Sequence, residues 1–142
     1  ITAQGGDAVM QAYKSEFLPS VREDEPRALL CVFALCAPTG AEAERLAAAI
    51  DLRRLHMALG VDAPVPTCEE AAARAYTERE AAYIRSQRAR VVLGDPDTVR
   101  ARLLALADQY GADELMVLTI TGDYASRRRS YELIAEAFGL GR

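Results

Sequence analysis

The chain has 142 residues, 51% of them hydrophobic, which is enough for one domain with a buried core and too little for two. A net charge of −4 gives no broad attraction to nucleic acid or anionic lipid. No apolar run approaches a membrane span or a signal segment, so the composition points to a soluble, cytoplasmic protein with no nucleic-acid or membrane partner. The first residue is Ile1 and the first methionine, Met10, falls inside a predicted helix, as in a piece of a longer polypeptide.

Thr2 to Gly6 form a polar, glycine-bearing lead-in. Asp7 is placed to cap a helix whose Val9, Met10, Tyr13 and Phe17 share a face, and Pro19 ends it. Ser20 to Arg27 are charged and make a connection. Ala28 to Ala37 are then continuously apolar. The length of the run and the breaker at Pro38 favour a buried strand over a helix, although periodicity alone does not decide.

Thr39 and Glu42 have the spacing of a capping box, and the helix they open is predicted to run to Gly60. Val61 to Pro66 hold two prolines and form a loop. Thr67 with Glu70, and Thr77 with Glu80, repeat the box, so two short helices are expected before Arg88. A plain crossover needs a single helix, so residues 61–89 read as a helical insertion.

The stretch from Arg90 to Asp123 reads as strand, turn, helix, turn, strand. Arg90 to Leu93 are too few for a helix. Gly94 breaks the run, Asp95 can cap, and Pro96 suits a first helical turn. Val99, Leu103, Leu106 and Tyr110 lie on one helical face, and Gly111 is a left-handed stop. Glu114 to Ile120 are apolar almost without alternation, the pattern of a parallel strand covered on both faces. The fold class is α/β, with parallel strands near Ala28–Ala37, Arg90–Leu93 and Glu114–Ile120.

The wording of this stretch is more specific than its pattern. Gly94-Asp95-Pro96-Asp97-Thr98-Val99-Arg100, then Gly111-Ala112-Asp113-Glu114-Leu115-Met116-Val117-Leu118-Thr119-Ile120-Thr121, resembles the carboxy-terminal end of luciferase-like, flavin-dependent monooxygenases. Arg129-Ser130-Tyr131-Glu132-Leu133-Ile134-Ala135-Glu136-Ala137-Phe138-Gly139 is similar to their final helix. The resemblance implies parallel βα units from the carboxy-terminal portion of a (β/α)8 TIM barrel. The run at Ala28 would be its sixth strand, and the two later runs its last two. A complete barrel needs about 250 residues, so this chain would supply one wall of the site. The implied chemistry is oxidation of a small organic substrate by molecular oxygen with flavin mononucleotide (FMN), a deazaflavin being the close variant.

Few residues present themselves for chemistry. Cys31 and Cys36 are separated by an odd number of positions, which on a strand sends them to opposite faces, and Cys68 opens a separate helix. Neither a metal site nor a disulfide framework is indicated, and buried thiols are the plainer account. His56, the one histidine, sits late in its helix beside Arg53 and Arg54, and is read as structural or solvated. Arg127, Arg128 and Arg129 point in different directions around a helix and form no binding stripe. Asp95 and Asp97 put negative charge where a phosphate would sit, so the Gly94 turn is read as structural.

Thr119, Thr121 and Asp123 are the candidate cofactor-binding residues. By the resemblance they lie at the carboxy end of the last strand, where barrel enzymes build their sites, with the two hydroxyls on one face. The plainer alternative has Asp123 capping the last helix and Thr119 filling the core. Members of the resembled family often carry histidine where Gly122 stands, which puts an acid–base role for this loop in doubt. No residue is assigned as catalytic. A second class of function, a non-catalytic α/β partner-binding or scaffold module, is also compatible with the pattern. Strands taken from a barrel leave bare apolar edges, so the chain is expected either to self-associate as a homo-oligomer or to fold its insertion helices across the open face.

Overall fold

The computed structural model describes residues 5–140, so most of the lead-in expected at Thr2 to Gly6 lies outside the described residues. The elements are α1 (Gly6–Glu16), β1 (Leu29–Cys36), α2 (Gly40–Ala58), α3 (Cys68–Ala73), α4 (Glu78–Arg88), β2 (Val91–Gly94), α5 (Pro96–Tyr110), β3 (Glu114–Leu118) and α6 (Tyr124–Ala137). Among the described residues no helix is long and apolar enough to cross a membrane.

The helix boundaries follow their caps. Asp95 accepts the Thr98 amide at 2.9 Å, Pro96 opens α5, and Gly111 closes it at φ 57°. Thr67 and Thr77 each complete a reciprocal box with Glu70 and Glu80. The box expected at Thr39 forms only by half: Thr39 Oγ1 accepts the Glu42 amide, while the Glu42 carboxylate turns outward to Arg45. In α1 the expected cap is displaced. Gly5, at φ 76°, stands at the cap position, and Asp7 lies within the first turn, accepting the Ala8 amide.

All three strands are parallel, in the order β2-β1-β3. The two later runs, which by the resemblance would be the last two barrel strands, are not paired with each other: β1 separates them. The physical reason is length and coverage. β1 has eight residues and is apolar on both faces, which suits a central strand, whereas β2 has four and β3 five. The two pairings are staggered. β3 runs beside Leu29 to Phe33, and β2 beside Phe33 to Cys36.

Alternation along β1 divides the core in two. Leu30, Val32, Ala34 and Cys36 face α5 and α6, packing with Val99, Leu103, Tyr110, Leu133 and Ile134. On the opposite face Leu35 lies under α2, against Ala43, Leu46, Ala47 and Ile50. Helices α3 and α4 pack on α2 around Leu52, Leu55 and Ala71. They do not close the remainder of that sheet face, where Leu29 is 45% and Met116 54% exposed. The register sets Leu29, Cys31 and Phe33 beside Glu114, Met116 and Leu118 there. Val32, Leu115 and Val117, by contrast, pack on the helix side.

Asp113 ties the start of the β1–β3 pair together. Its carboxylate accepts the Ala28 amide at 2.8 Å, its own amide donates to the Ala28 carbonyl, and Lys14 of α1 lies 3.4 Å away. The Ala28 amide holds this carboxyl below the usual range.

Candidate functional site

β3 ends at Leu118, two residues earlier than the apolar run suggests, and the residues that replace it are hydrogen-bonded side chains. Thr119 is fully buried. Its hydroxyl donates to the Ala34 carbonyl at 2.7 Å, and its amide donates to Tyr131 Oη at 3.0 Å. One step along β1, the Cys36 amide donates to Ser130 Oγ at 2.9 Å. Two side chains thus occupy the edge of β1 where a longer β3 would have supplied backbone, meeting the requirement that buried backbone groups be paired.

Thr121 donates to the Asp123 carbonyl at 2.6 Å, and the Asp123 carboxylate accepts the Ser126 amide at 2.8 Å as the cap of α6. That amide holds the Asp123 carboxyl below its usual range. Thr119, Thr121 and Asp123 therefore sit together at the strand end, each committed to a bond within the chain. Of the three, Asp123 is the exposed one. Gly122 has backbone on top of it: a Cβ there would stand 2.7 Å from the Pro66 carbonyl oxygen and 3.3 Å from Thr67 Cα.

Beside this loop, under α2, lies a charged cluster that pattern reading missed. Asp51 is 4% exposed and accepts from Arg88 Nε at 2.6 Å, while Arg88 also contacts the Glu44 carboxylate. Burial pushes the Asp51 carboxyl up and Arg88 opposes it, with the upward push the larger. The second oxygen, Oδ1, is buried without a hydrogen-bond partner. Arg54, one helical turn on, lays its guanidinium 5.1 Å from the centre of the Phe33 ring, and burial pulls its pKa down. These two charges lie within the Ala47–Leu55 apolar stripe of α2. A charge interrupting an otherwise apolar helical face is the sequence signal that would have found them.

The remaining candidates take structural places. His56 Nε2 faces Arg74 Nη1 at 3.4 Å, and Arg74 pairs with Glu80 at 2.7 Å. Cys36 and Cys31 do lie on opposite faces of β1, and burial raises the Cys36 thiol to about 11, which leaves it protonated at neutral pH. Cys68 is buried beneath α2. Arg129 pairs with Glu132 and Glu136 along α6. Gly94 is required by contact: a Cβ there would meet Thr98 Cγ2 at 2.8 Å.

No protein-family model matches the chain. The chain is 39% identical over 138 residues to the uncharacterized protein YceB of Bacillus subtilis (strain 168), matching 97% of this chain and 42% of that protein. YwcH of the same organism is 40% identical over 139 residues, again 97% of this chain and 42% of the relative. At greater distance, 26% identity over 130 residues joins it to a luciferase-like monooxygenase of Escherichia coli (strain K12), covering 89% of this chain and 39% of that enzyme. The chain is related to the luciferase-like monooxygenases. The crystal structure of apo-MsnO8 is 34% identical and superposes with a TM-score of 0.83 over 95% of this chain and 41% of its own. The fold of the chain is thus similar to part of a larger solved protein. The chain spans about 42% of the length of the first two relatives.

Proposed function

We propose that the chain is the carboxy-terminal part of a luciferase-like, flavin-dependent monooxygenase or oxidoreductase, and that it forms one wall of the site for flavin and a small organic substrate. The observation that carries this reading is the bare apolar face of the β1–β3 pair (Leu29, Cys31, Phe33, Met116 and Leu118) in a chain related to a luciferase-like monooxygenase. A fused aromatic ring system needs a flat apolar wall and a few polar groups at its edges. The chain fits the wall. It fits the edges less well, because the hydroxyls of Thr119 and Thr121 are already donated inward. In this proposal Phe33 and Leu118 would lie against the ring, Arg54 would stand at its border, and Thr119, Thr121 and Asp123 would hold the loop that faces it. The flavin, FMN or a deazaflavin, supplies the oxidation chemistry when bound, while the protein positions it and excludes water. In this proposal β1 and β3 are neighbouring barrel strands and β2 is a short strand added at the carboxy end of β1, a reading supported by the staggered pairing of the two.

The test is a fluorescence titration of FMN with the product of the natural gene and with the 142-residue chain. Binding by the natural product, with weak binding and no oxygen-dependent turnover by the 142-residue chain, is the expected result. A natural product that binds neither FMN nor a deazaflavin sinks the enzyme reading and leaves the partner-binding α/β module in its place. On its own, the chain is expected to self-associate through the bare face, because burying each exposed Leu or Phe side chain contributes about 1.5–3 kcal/mol. Light scattering at micromolar concentration would show this as a homo-oligomer's mass, and a clean monomer would contradict it.

A further inference from the structure

Arg54 carries a charge that no carboxylate of the described residues answers. It is half-buried, with its guanidinium 5.1 Å from the centre of the Phe33 ring. One hydrogen bond holds it, a long one of 3.4 Å from Nη1 to the Gln87 carbonyl. Among the described residues Nε and Nη2 make no hydrogen bond, and no acid lies within ion-pair distance. A partly buried guanidinium is ordinarily paired, as Arg88 is with Asp51 and Glu44. Asp51, one turn before Arg54 on α2, gives its Oδ2 to Arg88, and burial favours its neutral form. Arg88 and Arg90 add like charge to the same corner. Burial therefore costs Arg54 more hydration than its surroundings return, and its pKa falls accordingly.

Its position shows what the missing partner would be attached to. Phe33, Arg54, Leu118 and Ile120 line one cleft, so the guanidinium stands at the border of the bare β1–β3 face. The N–H donors of a guanidinium form a rigid fork, and the Nε and Nη2 side left over on Arg54 matches the paired oxygens of a carboxylate. An organic acid would bring both halves, a carboxylate for the fork and hydrocarbon for the face. A flavin phosphate is separated from its ring by the ribityl chain. With the ring against Phe33 and Leu118, that phosphate falls away from Arg54, whereas a substrate lying beside the ring reaches it.

We infer that Arg54 is a substrate-recognition residue, whose Nε and Nη2 bind the carboxylate of a small, largely hydrocarbon organic acid. The inference rests on the proposed flavin wall and adds a substrate class to it: an acid held by its charge at one end, rather than a neutral alcohol or aldehyde.

Calorimetric titration of the natural gene product, with and without FMN, tests this with octanoate and 1-octanol as probes. Octanoate is expected to bind at least about 30-fold more tightly than 1-octanol, the worth of a charge-assisted pair of hydrogen bonds. Arg54→Gln is expected to remove that preference while leaving 1-octanol binding unchanged, which also shows that the variant is folded. Arg54→Lys keeps the charge without the fork, and so holds the fold where glutamine does not. It is expected to weaken octanoate binding about 10-fold. Equal binding of the two probes by the natural product, or octanoate affinity unchanged in both variants, overturns the inference. So does a loss of FMN affinity in Arg54→Gln with riboflavin, which has no phosphate, unaffected, because the guanidinium would then serve the cofactor. A natural product that takes no flavin but prefers octanoate through Arg54 leaves the acid subsite standing and removes the flavin reading, so the two fail separately.

Discussion

Arg88→Met is expected to destabilise the chain by about 3 kcal/mol, toward the lower end of the cost of breaking a buried ion pair because Arg88 keeps some exposure. The guanidinium side chain is 22% exposed and the Asp51 side chain 5%. Removing Arg88 leaves the Asp51 carboxylate between α2 and α4 with no cation bonded to it, and its Oδ1 already lacks a partner. Methionine keeps most of the buried stem, so the loss reports charge and hydrogen bonding rather than a cavity. Chemical denaturation at neutral pH measures it. A midpoint equal to that of the unaltered chain would show that Arg88 lies on the surface in solution.

The pH dependence follows from the direction of the Asp51 shift. Burial raises this carboxyl above its ordinary value of 3.8 even with Arg88 in place. An acid whose folded pKa lies above its unfolded one takes up a proton on folding. The stability it contributes is therefore full at low pH and lost as pH rises through the interval between the two values. Without Arg88 the folded value moves further up, so the deficit of Arg88→Met should be largest at neutral pH and shrink as Asp51 is protonated. Asp51→Asn in the same background should recover much of the loss by removing the stranded charge. A deficit independent of pH, or no recovery from the double substitution, would contradict the buried-pair account.

Most local signals were legible where a residue acts on its own neighbours, the Asp7 cap and half of the Thr39 box being the exceptions. Asp95, Gly111, Thr67, Thr77 and Asp123 all cap as their spacing indicates, because capping joins groups three or four positions apart. The apolar run at Ala28 is indeed a strand, apolar on both faces and buried along the whole of the face that meets α5 and α6. What sequence reading missed is long-range. It gave the chain order of the strands and not their order in the sheet, because strand neighbours are chosen by which edge is longest and best covered, and β1 offers both. It carried β3 to Ile120, because apolar character does not reveal that Thr119 and Ser130 would satisfy the β1 edge with hydroxyls across 85 and 94 positions. The Asp51–Arg88 pair spans 37 positions and has no local signature except a charge within an apolar stripe.

The loop at Gly122 couples the candidate site to the insertion. Gly122→Ala is expected to cost about 1–3 kcal/mol by overpacking. The backbone dihedrals permit any residue, since Gly122 is not among the glycines with positive φ, so the obstacle is steric alone. The added methyl would meet the Pro66 carbonyl oxygen at 2.7 Å, Thr67 Cα at 3.3 Å and Ala49 Cβ at 3.4 Å. Two of these are backbone atoms, and Thr67 is fixed by its reciprocal box with Glu70, so the segment has little freedom to retreat. Gly122→His should be worse and should not create an acid or base at the strand end, because an imidazole has room only if residues 66–67 are displaced. Thermal denaturation checks the prediction: at about 4 °C per kcal/mol for a domain of this size, Gly122→Ala should melt several degrees below the unaltered chain. An unchanged melting temperature would mean that the Pro66–Thr67 backbone does not rest on Gly122 and that the loop is open to a side chain after all.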